Sequence, residues 1–231
     1  MKIGGLQKLT LIDYPGKIAA TIFTVGCNFR CPFCHNPELV LPSYGETGSI
    51  LEKDFFEFLK IRKGKLEGIC ITGGEPTIQS DLLEFVRKIK QMGYLVKLDS
   101  NGTRPDVIKK GLEDELFDFI AMDIKSSVEN YEKASGCKVD IERIKLSVDL
   151  IKNSGIDYEF RTTVVPGIHH YKDFDKIAKW LKGSKKYTLQ EYRNEGKILD
   201  QEFAGKKYKK VLKLEEIKKR IKDSFEKIEI H

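Results

Sequence analysis

Ile18-Ala19-Ala20-Thr21-Ile22-Phe23-Thr24-Val25-Gly26-Cys27-Asn28-Phe29-Arg30-Cys31-Pro32-Phe33-Cys34-His35-Asn36-Pro37 is the stretch from which the rest of the chain can be read. Ile18 to Val25 is a compact apolar and β-branched run, the pattern of a buried strand. The strand ends at Gly26 and a cysteine loop begins at once. Parallel α/β folds place their ligand loops at the C-terminal ends of strands. Three of the chain's five cysteines fall in this loop, at a C-x3-C-x2-C spacing. Three thiolates on one short loop can each hold one iron of a [4Fe-4S] cube, leaving the fourth iron without a protein ligand. An open position is what a catalytic metal site keeps and a structural site closes.

Other readings of the cysteines are weaker. Zinc held by Cys27, Cys31, Cys34 and His35 would normally come with a second cysteine pair or distant histidines, and no such pair exists. A disulfide framework does not suit 231 residues with an odd number of cysteines. Cys70, in Gly68-Ile69-Cys70-Ile71, reads as a buried strand residue. Cys137 stands beside Gly136 in a turn-like stretch, and is a fourth ligand only if the fold brings it to the loop.

The chain is 40 % hydrophobic and 33 % charged, with a net charge of +6. That is the composition of one globular domain with a substantial core. We divide it into an entry segment (1–17), a core (18–200) and a lysine-rich C-terminal helix or tail (201–231). No apolar run is long enough to cross a bilayer and no leader is visible, so the expected compartment is the cytoplasm. Lys206, Lys207, Lys209, Lys210, Lys213, Lys218, Lys219, Arg220 and Lys222 face only Glu215 and Glu216 in their stretch. A solvated helix explains them better than nucleic-acid binding, since they lack a stacking platform or recognisable motif. An acidic protein partner would also suit them.

Beyond the cysteine loop the pattern is a strand–helix rhythm. Ser49 and Glu52 suggest a capping box for a helix from Ile50 to Arg62. A strand over Leu66–Thr72 runs into Gly73-Gly74-Glu75-Pro76-Thr77. Two glycines there let the backbone approach a ligand, and a carboxylate beside them can hold a cation. A strand over Tyr94–Leu98 ends in Asp99-Ser100-Asn101-Gly102. Another over Leu116–Met122 ends in Asp123-Ile124-Lys125. Oxygen ligands at comparable strand ends can share a hard cation. A strand over Ile156–Val165 carries Arg161 and closes in Val165-Pro166-Gly167. His169 and His170 diverge as neighbours and read as loop residues near the pocket. Tyr187–Tyr192 is the sixth strand, bringing Gln190, Tyr192 and Arg193 to the open end, and Leu212–Ile230 is a final helix with or without a tail. Six such units predict an α/β fold, a partial (β/α)6 TIM-like barrel with a lateral opening.

The cysteine loop resembles the signature of the radical S-adenosylmethionine (SAM) superfamily. With His35-Asn36-Pro37 after the third cysteine it is similar to the activating enzymes of glycyl-radical enzymes. Gly4-Gly5-Leu6-Gln7-Lys8 and Leu11-Ile12-Asp13-Tyr14-Pro15-Gly16-Lys17 resemble the opening of anaerobic ribonucleoside-triphosphate reductase activating proteins. The likeness covers about residues 1 to 200. It implies a [4Fe-4S] cluster on Cys27, Cys31 and Cys34, and SAM contacts from Phe33, Gly73, Gly74, Glu75, Asp99, Ser100, Asp123, Lys125, Arg161 and Val165. Glu75 and its glycines would hold the methionyl amino group. Asp99, Ser100 and Asp123 would bind a monovalent cation beside the SAM carboxylate, with Ser100 replacing the family's threonine. A histidine found near the sixth strand in some relatives is missing.

The resemblance further implies that the reduced cluster cleaves SAM to methionine and a 5′-deoxyadenosyl radical, which takes hydrogen from a glycine of a partner enzyme. The implied partner is anaerobic ribonucleotide reductase, and the implied electron donor a flavodoxin or ferredoxin. No triad, catalytic carboxylate pair or phosphate loop competes. Three rivals remain: a small-molecule radical SAM enzyme of the deazapurine synthase kind, a metal-bearing interaction module without catalysis, and a basic RNA-binding protein.

Overall fold

The structure, a computed structural model, describes residues 1–40, 49–195, 197–208 and 211–231. Among them the chain runs β1 (Ile3–Thr10), β2 (Ala19–Thr24), α1 (Pro37–Val40), α2 (Glu52–Ile61), β3 (Gly68–Gly73), α3 (Leu82–Gln91), β4 (Leu95–Ser100), α4 (Pro105–Glu113), β5 (Phe119–Asp123), α5 (Tyr131–Ser135), α6 (Ile141–Lys152), β6 (Asp157–Val164), α7 (Tyr171–Trp180), β7 (Ser184–Glu191), α8 (Gln201–Gly205), α9 (Leu214–Ile221) and β8 (Phe225–Ile230). The strands form one sheet in sequence order; β1 is antiparallel to β2 and every later pair is parallel. The result is the expected partial (β/α) TIM-like barrel, open between its edge strands β1 and β8.

The two ends depart from the six-unit expectation. The entry segment is a full edge strand, because Ile3 is buried and its carbonyl accepts from Ile50 N–H at 2.9 Å. That bond pulls Ile50 out of the expected helix. Ser49 therefore does not cap it: α2 starts at Glu52 after an extended Leu51 with no side-chain cap. Glu52 instead reaches the N-terminal amine (3.2 Å) and Lys88 (3.0 Å). At the other end, only Leu214–Ile221 of the expected final helix is helical. Phe225-Glu226-Lys227-Ile228-Glu229-Ile230 alternates with the period of a strand and pairs with β7, where Phe225 stacks on Tyr187 at 4.7 Å. Part of the expected Pro37–Gly48 loop, and Lys209 and Lys210 of the basic tail, lie outside the described residues.

The helices cover one face of the sheet. Ala20, Ile22, Ile69, Ile71, Val96, Leu98, Ile120, Met122, Phe160 and Leu189 face them and are fully buried. Alternation sends the intervening residues into the barrel, and many of these are polar: Thr21, Cys70, Lys97, Asp99, Asp123, Glu159, Arg161 and Thr188. Below them Tyr14, Ala19, Leu95, Phe119 and Ala121 close the floor. Tyr14 packs on Phe119 at 6.1 Å, and a Cβ on Gly68 would lie 2.8 Å from its ring. The turn before β2 thus supplies the barrel's plug.

Candidate functional site

The cysteine loop hangs from the C-terminal end of β2. Arg30 Nη1 donates to the carbonyls of Cys27 and Phe29, both at 2.7 Å, and Cys34 N–H closes a turn on Cys31 O at 3.0 Å. A strap after β7 holds the outside: Leu199 N–H and Asp200 N–H donate to the carbonyls of Cys34 and Pro32, while Tyr192 packs against Phe33 and His35. Asn101 Nδ2 donates to Asn28 Oδ1 at 2.8 Å, tying the loop to the end of β4. Cys27, Cys31 and Cys34 all line one cavity of about 230 Å³ at the open end of the barrel, which also touches Phe33, Gly73, Gly74, Glu75, Asp99, Ser100, Asp123, Lys125, Arg161 and Thr163.

The donor set fits an iron–sulfur cluster. Among the described residues no three His, Cys, Asp or Glu side chains converge on a single ion position. The thiols are spread around a volume, as a cube with one iron per thiolate requires, and the zinc reading with His35 loses its geometry. Burial pushes the thiol of Cys27 up to about 12 and that of Cys31 up to about 11, and raises Cys34 as well. Metal binding must therefore displace their protons. Cys137 does not line the cavity; its Sγ lies outside the loop, 3.6 Å from the Asn28 carbonyl.

The Gly-Gly turn is set by contact with the cysteine loop. A Cβ on Gly74 would lie 2.0 Å from the Gly26 carbonyl oxygen, and one on Gly73 2.3 Å from Thr24 N. Gly73 also has φ +113°, a left-handed value that disfavours a side chain. Glu75 borders the cavity with its carboxyl held by protein donors. It is 1 % exposed, and its carboxyl accepts from Thr77 N–H (3.1 Å), Thr77 Oγ1 (2.5 Å), Ser100 Oγ (2.8 Å) and Asn101 N–H (2.6 Å). Burial raises its pKa, and these donors oppose the rise. The carboxyl joins β3 to β4 at the edge of the cavity, beside the backbone of Gly73 and Gly74. Ser100 also borders the cavity; its hydroxyl donates to Glu75 at 2.8 Å and accepts from Gly102 N–H at 3.0 Å. Val165 lies outside the cavity lining; it is buried, and its N–H donates to His169 Nδ1 at 2.9 Å.

Asp99 and Asp123 do meet, but around a guanidinium. Arg161 Nη1 lies 3.2 Å from Asp99 Oδ2 and its Nε 3.0 Å from Asp123 Oδ1. Lys97 Nζ is 2.5 Å from Asp99 Oδ1, and Lys125 Nζ is 3.0 Å from Asp123 Oδ2. Burial opposes the charge on both acids, yet these cations hold both below the usual carboxylate range. Three cations face two carboxylates, an excess of one positive charge suited to an anionic ligand group. The monovalent cation that the resemblance implies is disfavoured here, because each of the four carboxylate oxygens already faces a protein cation.

Three features escaped sequence reasoning. Lys97 interrupts an apolar strand two residues before Asp99, so strand periodicity alone puts both on one face. Thr163 shares the face of Arg161 by the same rule. His169, read as a loop residue, is 2 % exposed: its Nδ1 accepts from Val165 N–H, and its Nε2 donates to the Lys125 carbonyl at 2.8 Å. It couples the turn after β6 to the backbone of a cavity residue, and nothing in its local sequence signals this.

A family model described as "Radical SAM superfamily" matches residues 21–181. The chain belongs to the radical SAM superfamily. It is also 36 % identical to a Methanocaldococcus jannaschii protein named as a candidate glycyl-radical enzyme activating enzyme, over 87 % of this chain and 83 % of that one. The pyruvate formate-lyase-activating enzyme of Listeria monocytogenes is 34 % identical over 54 % of this chain and 53 % of its own. This radical SAM chain is thus related to glycyl-radical enzyme activating proteins. Streptococcus suis SuiB bound to its precursor peptide SuiA shares the fold, with a TM-score of 0.66 at 13 % identity over 91 % of this chain. The match covers 48 % of SuiB, so the present chain spans about half its length. Among the described residues no helix is long and apolar enough to cross a membrane.

Proposed function

We propose that residues 1–231 form one radical SAM domain that activates a glycyl-radical enzyme, with anaerobic ribonucleoside-triphosphate reductase as the partner. In this reading Cys27, Cys31 and Cys34 hold a [4Fe-4S] cluster and SAM fills the rest of the cavity. When bound and reduced by a flavodoxin or ferredoxin, the pair supplies the 5′-deoxyadenosyl radical that takes an α-hydrogen from a partner glycine. The observation that carries the reading is the convergence of three thiols and the Gly73-Gly74 turn on one cavity, beside the net positive chain Lys97–Asp99–Arg161–Asp123–Lys125.

The chain's own residues then have separable roles. Gly73 and Gly74 present backbone to the amino group of SAM. Arg161 and Lys125 attract its carboxylate, and Phe33 and Thr163 border the remaining space. The aromatic strap of Tyr192, Phe203 and Tyr208 packs over the cysteine loop and excludes water from it. The open edge between β1 and β8 favours a protein loop over a small molecule as hydrogen donor, since a small substrate needs enclosure. The opening Gly4–Lys17 supports the choice of reductase.

The test is anaerobic iron–sulfur reconstitution, followed by assay for 5′-deoxyadenosine with SAM and dithionite. The comparison protein carries Cys27→Ala, Cys31→Ala and Cys34→Ala together. Cluster-dependent deoxyadenosine and a glycyl-radical signal on added reductase are expected. A loaded cluster with no SAM cleavage refutes the reading, and cleavage without radical transfer to the reductase refutes the partner.

A further inference from the structure

We propose that Lys97 is a built-in counter-cation and positioning residue of the SAM site, so that this chain binds the SAM carboxylate without an added monovalent metal ion. The proposal rests on the reading that SAM occupies the cavity between the cysteine loop and Arg161.

Lys97 is an unusual residue for its place. It lies on the inward face of β4 between Val96 and Leu98, and it is 1 % exposed. Its sheet neighbours in register are Cys70 and Phe119. Its Nζ lies 5.7 Å from the Phe119 ring centroid and 3.9 Å from Cys70 Sγ, and the acid it meets is Asp99, at 2.5 Å. A lysine is rarely buried so completely without a paired function.

The pairing completes a chain of alternating charge. Lys97 takes Asp99 Oδ1 and Arg161 takes Oδ2; Arg161 takes Asp123 Oδ1 and Lys125 takes Oδ2. Glu159, the other acid on the inward face of β6, is paired separately with Lys186 at 3.2 Å. Without Lys97 the Asp99 and Asp123 carboxylates would be balanced by Arg161 and Lys125 alone, leaving no excess charge in this chain for a third carboxylate. Lys97 makes the excess positive from within the protein. Asp99 screens it from water and holds Arg161 in place, so Lys97 acts through its neighbours and does not touch the ligand.

The test measures SAM binding to the cluster-loaded wild-type protein under anaerobic conditions, by equilibrium dialysis. Potassium or sodium replaces choline at constant ionic strength. Wild-type affinity is expected to stay constant across the series. Lys97→Met, which keeps the length and removes the charge, is expected to bind about tenfold or more weakly in choline and to recover in potassium. Lys97→Arg is expected to behave as wild type. A lysine with a merely structural role would give no such cation dependence. Wild-type binding that tightens about tenfold with potassium or sodium overturns the proposal and needs no variant, so it holds even if Lys97→Met does not fold. Lys97→Met binding as tightly as wild type in choline also overturns it. Wild-type protein that binds no SAM in any of these salts instead refutes the underlying reading.

Discussion

Glu75→Gln separates a ligand-binding carboxylate from a structural one. The two oxygens of Glu75 accept four hydrogen bonds from Thr77, Ser100 and Asn101, and both oxygens face a backbone N–H. Glutamine has the same shape but one acceptor oxygen and one NH2. Whichever way the amide turns, its NH2 confronts the N–H of Asn101 or that of Thr77. Losing a hydrogen bond to a charged group costs about 1.5–3 kcal/mol, and a buried donor left unpaired costs about 1–3 kcal/mol. The two overlap, so we expect a loss of about 3 kcal/mol, roughly a hundredfold in the unfolding equilibrium. Equilibrium urea unfolding of the cluster-free chain reads this as a lower midpoint at unchanged slope. Stability within about 0.5 kcal/mol of wild type, the range of ordinary surface changes, refutes the argument. If that variant also lost SAM affinity, Glu75 would return to the role of an amino-group ligand.

Three further outcomes follow from contacts elsewhere. Tyr14→Ala should cost about 3–5 kcal/mol by opening the barrel floor; a loss under about 1 kcal/mol in the same unfolding experiment would show that Phe119 and Leu95 close it unaided. Gly74→Ala should destabilise the chain by about 1–3 kcal/mol and lower the iron content after reconstitution, because the new methyl meets the Gly26 carbonyl and no side chain can yield. Wild-type iron content in that variant would refute the contact. His169 has its pKa lowered by burial, against the pull of its bond to the Lys125 carbonyl. Unfolded histidine takes its proton near pH 6.5 while the folded one resists, so the unfolded chain binds more protons below that pH. The stability from His169 is therefore full above about pH 6.5 and drains as pH falls towards the folded value. His169→Gln should flatten that slope, and an unchanged slope would place the dependence elsewhere.

Much of this site could be read from short stretches. The cysteine spacing, the glycine pair after the next strand, and two aspartates ending the two strands after that are local patterns. Their joint placement follows from one rule, that parallel strands carry ligands on their C-terminal ends. Less visible was the division of labour inside each motif. Glu75 and Asp99 are both acids at strand ends on the cavity, yet one is held by N–H and O–H donors and the other by Lys97 and Arg161. Strand alternation accounts for Asp99 and Ser100 parting company, and a closer use of it would have flagged Lys97. It would also have shown Phe225–Ile230 as a strand, where a run of nearby lysines suggested a helix continuing.

The sequence by itself determined the strand–helix order between the cysteine-loop strand and the strand ending near Tyr192, the three thiols on one loop and the membership of Asp99, Asp123 and Arg161 in one face. These depend on neighbours within a few residues, where backbone geometry and side-chain periodicity act directly. Only the tertiary structure decided what those groups bind in the protein. The guanidinium between Asp99 and Asp123, the plug made by Tyr14, the strap of Leu199 and Asp200 across the cysteine loop and the bond from His169 to the Lys125 carbonyl join residues far apart in the chain. Such contacts are set by how burial and charge are satisfied when the sheet closes around its interior. A buried carboxylate must find its cations and donors wherever the fold brings them, and no local pattern encodes that choice.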